Sequence, residues 1–264
     1  MAKALIWTLT GVIVVGAGIA GVAAWSLMSS PDAPAAGDEE AGAPVAGIVV
    51  EDEVPALYTG NELEWFLLGA KEFGSLTGQP GLVAGDVSSE LWSVGESEGW
   101  TVQEEHCRAE FSGTDELVIG ERSARFAEEG SESAVSGGII RASQYATPEL
   151  AVERTVERMD PAGSCSRTTF GYYDGSELQS ESSRTLLAER KAEGVQVVVE
   201  REETVEVASQ VSSEAMIGRM VAGNVYVEVW SSHDDLAAMD PEGLAEALLE
   251  RAAHAHEQLT QHKR

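Results

Sequence analysis

The sequence predicts an α+β domain, a twisted antiparallel sheet packed by helices, preceded by one N-terminal transmembrane helix and a disordered stalk. Three observations carry this. Between Thr101 and Trp230, short runs of alternating apolar residues recur between turn residues, the period of strands with one covered face. Two helix starts punctuate that series, Thr147-Pro148-Glu149 and Asp240-Pro241-Glu242, each a cap, a Pro and an acid. Finally, Ala4 to Met28 holds no charged residue and is long enough to cross a bilayer core of about 30 Å as a helix.

The N-terminal run sets the compartment. Trp7 and Trp25 lie near its two ends, roughly 27 Å apart along a helix, about the spacing of interfacial aromatic belts. Lys3 precedes the run, and no Lys or Arg follows it until Lys71. The positive-inside rule therefore puts residues 1–3 in the cytoplasm and the rest outside, a single-pass plasma-membrane topology. The rival is secretion after signal cleavage, with small-residue sites at Ala24-Trp25-Ser26 and Ala33-Pro34-Ala35. A signal peptide has an apolar core of about 7–15 residues, so length favours a retained anchor at 4–28. Within the run, Gly16, Gly18 and Gly21 mimic a dinucleotide-binding loop. Pro31 and Pro34 deny that motif its following helix and strand, so the small residues read as a membrane-helix face and no cofactor is expected.

Net charge is −28, from 45 acidic and 17 basic residues, a surface that repels nucleic acid and anionic headgroups. Residues 29–56, acidic and rich in Pro, Ala and Gly, form the linker, and 57–260 the folded domain. Outside the membrane the two cysteines, Cys107 and Cys165, read as a disulfide. The alternative, a metal or a nucleophile, has only His106 beside Cys107 and no further ligand at metal spacing.

In chain order, Leu63, Phe66, Leu67 and Ala70 predict a helix capped at Asn61 that runs on to Gly78. Gly81–Gly99 reads as a loop carrying Trp92, with Trp100 just beyond. Cys107, Ala109 and Phe111 alternate as a strand, Leu117–Phe126 and Val135–Tyr145 as two more. The helix from Thr147 carries an apolar stripe of Ala151, Val152, Thr155, Val156 and Met159 and stops at Asp160-Pro161. Ser166–Tyr173 is a strand, and polar Asp174–Arg190 an exposed excursion. Val195–Val199 and Val205–Val207 alternate. Gly223-Asn224 signals a hairpin whose second arm points Val225, Val227 and Val229 to one face and Tyr226, Glu228 and Trp230 to a wet one. The final helix packs Leu244, Leu248, Leu249, Ala252 and Leu259 onto the covered face.

No hydrolase, P-loop, zinc or calcium motif is present in the sequence, and no catalytic or metal-binding residue is expected. His233, Asp234 and Asp235 are adjacent and diverge, and His254 and His256 lie on different sides of a helix.

Three stretches carry a resemblance: LLGAKEFGSLTG at Leu67–Gly78, ATPELAVERTVERMDPAGSC at Ala146–Cys165, and GNVYVEVW at Gly223–Trp230 ahead of an Ala-rich helix. Their order resembles the PknH-like extracellular sensor domain of actinobacterial serine/threonine kinases, a family that includes stand-alone membrane-anchored proteins. The resemblance spans roughly Leu57–Leu259. It implies a twisted antiparallel sheet with packed helices and a groove suited to a ligand. The family often has a second cysteine pair near the closing hairpin, which this chain lacks.

The expected function is therefore a non-catalytic, membrane-anchored module that senses or binds a small molecule or envelope component. Trp92, Trp100, Tyr172, Tyr226 and Trp230 are the candidate groove-lining residues. An envelope interaction or accessory protein with a membrane-protein partner is the alternative, and an envelope-polymer hydrolase a third reading.

Overall fold

The computed structural model of the chain describes residues 56–91, 100–107, 117–130, 137–172, 178–232 and 238–262. The anchor at 4–28, the linker up to residue 55, and Trp92 lie outside the described residues. Among the described residues, no helix is long and apolar enough to cross a membrane.

The described strands are β1 (Leu82–Ala84), β2 (Trp100–Val102), β3 (Gly120–Glu128), β4 (Gly138–Gln144), β5 (Arg167–Tyr172), β6 (Leu178–Ala192), β7 (Val195–Glu206), β8 (Ser212–Ala222) and β9 (Val225–Ser232). They form one sheet in the order β1-β3-β4-β9-β8-β7-β6-β5-β2. Every pairing is antiparallel. The helices are α1 (Ala70–Leu76), α2 (Pro148–Thr155) and α3 (Pro241–His262), with a 3-10 helix at Gly60–Phe66.

The expected hairpin stands at the heart of the sheet. Gly223 takes φ +56, which only glycine adopts without strain, and a Cβ there would meet the Ala56 carbonyl oxygen at 2.4 Å. Asn224 is buried, and its side-chain oxygen accepts from the Tyr58 N–H while its amide donates to the Tyr58 and Tyr145 carbonyls. One asparagine thus ties the entering chain and the end of β4 to the turn.

Val225, Val227 and Val229 point into the main core with Val197, Val199, Met216 and Met220 from β7 and β8. Over them lies α3, with Leu244, Leu248, Ala252 and Leu259 buried, and Leu249 partly so. Gly218 admits the helix: a Cβ on it would stand 2.9 Å from a Leu244 methyl. Fully burying each leucine contributes about 1.5–3 kcal/mol. Asp240 caps α3 as expected, its carboxylate accepting from the Gly243 N–H at 2.9 Å. The stacked rings of Phe73 and Phe126, with centroids 4.1 Å apart, extend this core beneath α1.

Six expectations need correction. The first helix is two: Leu67–Gly69 is extended, so the 3-10 helix and α1 are separate. Its cap is Thr59, whose N–H donates to Glu62, while Asn61 accepts instead from Arg122. The Gly81–Gly99 stretch contains β1, held against β3. Cys107 ends a 3-10 turn, Glu105–Cys107, rather than lying in a strand. The expected α2 stripe is half exposed: the helix ends at Thr155, and Val152 and Val156 face outward at 48 and 56% exposure. Asp174–Arg190 is no excursion, because from Leu178 it is β6, the longest strand. Its many Ser and Glu residues are held by a twelve-residue ladder to β7, so pairing overrides composition. A bulge falls between Leu186 and Ala188.

Candidate functional site

The face of the sheet opposite α3 is not uniformly wet. At one end α2 covers it, with Tyr145, Ala151, Met159, Val198, Val221 and Tyr226 forming a second core. Thr147 caps α2, accepting from the Leu150 N–H at 3.2 Å. At the β5–β2 edge, the disulfide Cys107–Cys165 packs with Val102 and Phe170 as a third cluster. The pairing expected from the cysteine count is thus present, with Cα atoms 5.5 Å apart. His106 lies beside it, but both sulfurs are bonded to each other and are not available as thiolate ligands.

Between these covers the register sets side chains in rows across the strands. One row runs Arg141 (β4), Glu228 (β9), Arg219 (β8). The Glu228 carboxylate accepts from Arg141 Nη2 at 2.9 Å, from Arg219 Nε at 3.3 Å and from the Tyr226 hydroxyl at 2.9 Å. Arg219 also pairs with Glu200, whose side chain is fully buried and lies 3.7 Å from an Arg184 nitrogen. Ser182 donates to Glu202 at 2.5 Å. The Arg158 guanidinium sits over the Tyr226 ring, 5.6 Å from its centroid. The next row is apolar: Ile139, Trp230, Ile217. Ile139 and Trp230 are half-buried, and Ile217 is buried beside them.

Charge in this strip departs from the acidic balance of the chain. Burial pushes the Glu228 carboxyl up, but Arg141, Arg219 and Arg158, with the Tyr226 hydroxyl, outweigh it and hold the group at about 2. Desolvation raises Glu202, against its Ser182 hydrogen bond and Arg184. Burial, then the Glu228 charge, raises the Tyr226 phenol, which stays a neutral donor.

The candidate groove residues separate into two groups. Tyr226 and Trp230 share this face of β9, but Tyr226 is 1% exposed, a core ring with its hydroxyl in the network. Trp230 is the half-exposed one. Trp100 and Tyr172 are register partners on β2 and β5. Four strand spacings of about 4.8 Å put Tyr172 roughly 19 Å from β9. Sequence reading missed Arg141, Arg219, Glu200 and Glu228. A signal existed for two of them: Arg219 and Glu228 are equidistant from the Gly223-Asn224 turn, so the hairpin register alone places them opposite each other.

Two mycobacterial proteins are among the solved structures similar in fold. The extracellular domain of PknH from Mycobacterium tuberculosis matches with a TM-score of 0.50 at 14% identity, over 79% of this chain and all of that one. An uncharacterized protein of Mycobacterium smegmatis, the Rv0999 ortholog, is similar at TM-score 0.40 and 16% identity, over 69% of this chain and 96% of that one. No protein-family model matches the sequence, and none of the curated proteins compared with it does. The chain has the fold of the PknH extracellular domain, as the three sequence stretches implied.

Proposed function

We propose that the chain is a non-catalytic, extracytoplasmic sensing or solute-binding module of the cell envelope, tethered through residues 4–28. The observation that supports this reading best is the match of the whole PknH extracellular domain to this chain. The charged strip on the face opposite α3 is the ligand face. Its carboxylates support binding over acid–base catalysis, because Glu228 is held ionised between two arginines. Thermal-shift screening of the full chain against cell-wall fragments and lipids tests this. Stabilisation by one class is the expected result, and no shift with any class overturns it. A reporter fused after Arg264 reads the topology and is expected outside the cell.

The outward pair Val152 on α2 and Val156 at its C-terminal cap supports a second reading, contact with another envelope protein. Crosslinking in intact cells separates the two: loss of a specific adduct on Val152→Glu favours the second.

A further inference from the structure

We propose that the outward face of α2 docks a basic amphipathic helix of another protein, with two apolar side chains on Val152 and Val156 and lysines or arginines along Glu149, Glu153 and Glu157. This names the chemistry of the partner in the second reading above and rests on that reading. The first observation is the apolar pair. Val152 and Val156 are both exposed, and four positions set them about 6 Å apart along the helix axis, the spacing at which a second helix seats an i, i+4 pair of its own. Val156 is the cap but keeps helical backbone, φ −53 and ψ −45. The next turn continues, with the Met159 N–H donating to the Thr155 carbonyl at 2.9 Å. Leu117 and Ile119 are exposed on either side of Val118, which packs on the same second core as Leu150. The Ile119 N–H donates to the Gln144 carbonyl, so this apolar surface adjoins the start of α2.

The second observation is charge. Glu149, Glu153 and Glu157 recur every four positions beside the valines, and all are exposed. Like charges at that spacing repel, and among the described residues no lysine or arginine pairs with Glu149 or Glu153. Glu157 accepts from the Ser164 hydroxyl at 3.4 Å, which brings no charge. A surface that supplies cations beside apolar groups is therefore complementary to this face. The same charge narrows the occupant. A second copy would set the acidic ridge against its own like. Residues 29–56 carry no Lys or Arg, so the linker is no better matched. Anionic headgroups are repelled in the same way. What remains is a different protein, with basic residues flanking its apolar ones.

The experiment uses the full chain in nanodiscs of neutral lipid and a labelled, end-blocked alanine-based peptide of about 18 residues, long enough to be helical in water. The peptide carries two leucines four apart with lysines beside them. A second peptide has the same composition with the leucines moved to opposite sides, and a third has glutamate for lysine. Binding is read by fluorescence anisotropy. The first peptide is expected to bind, the second about tenfold more weakly, and the third not at all. Glu149→Gln with Glu153→Gln is expected to weaken the first peptide about tenfold, as for two exposed ion pairs, and Val152→Ser about fivefold. Glu246→Gln, an exposed glutamate on α3 over the opposite face, removes charge elsewhere and is expected to bind as the parent. The proposal fails if the second peptide binds as tightly as the first, or if Glu246→Gln weakens binding as much as Glu153→Gln alone, since any polycation would then serve a chain of this charge. It also fails if the full chain sediments as a dimer that Val152→Ser dissociates, because a second copy then covers the face. If no peptide binds while the adduct in cells still depends on Val152, only the basic-helix assignment falls and contact with an envelope protein stands. Loss of that adduct dependence as well overturns both.

Discussion

Glu228 shows how one side chain is governed by neighbours that are remote in sequence. Arg141 is 87 positions away, and Arg219 lies across a hairpin. The carboxyl is at about 2 in the folded protein against an ordinary 4.5. A depressed acid stabilises the fold above its unfolded value and loses that contribution as pH falls through the folded value. Glu228 therefore contributes about 3 kcal/mol above roughly pH 5, fading toward pH 2. Glu202, raised by desolvation, acts in the opposite sense, so the two must be separated. The urea-unfolding difference between the parent and Glu228→Gln is expected to be constant above pH 5 and to shrink below it. A difference that does not change with pH would show that the arginines do not act on this group. The sequence shows charged residues here but not their company, because an ion pair across β4, β9 and β8 depends on strand order, which local pattern does not encode.

Elements with strong local signals were legible. Thr147-Pro148-Glu149 starts α2 where expected, and Asp240-Pro241-Glu242 starts α3. Thr147→Ala removes the cap and is expected to cost about 1 kcal/mol, read as a lower denaturant midpoint with an unchanged slope. Leu248 is fully buried against Gly218, so Leu248→Asp places an unpaired charge in the main core. That variant is expected to lose its cooperative thermal transition, and a melting temperature like the parent's would refute the packing of α3. Elements whose signal is tertiary were not legible. The strand β6 reads as polar because its ladder partners, not its own composition, hold it. The break at Leu67–Gly69 is hidden in the same way: its apolar spacing suits a helix, but the backbone is extended at Leu67 and Gly69, between the two short helices. The candidate site follows this division. Trp230 was readable from strand alternation, whereas Arg141 became visible only with the β4–β9 register.

At the scale of the molecule, two helices and a crosslink hold opposite faces of one sheet. The disulfide joins the turn before the β3 region to the exit from α2, closing 58 positions. Chain entropy gives about 4 kcal/mol for a loop of that length. Replacing both cysteines with serine is expected to lower stability by up to that amount, seen as a lower melting temperature that reductant no longer changes. The strand order has a further effect. Its outermost members, β1 and β2, are three residues each, while the strands between them reach fifteen. Where β6 runs past its shorter neighbour β5, it carries the bulge at Leu187 and then Glu189, Arg190 and Lys191. Stubby, kinked or charged borders make poor templates for another molecule's backbone. Crowded side by side at high surface density, such molecules would resist zipping together into fibrils.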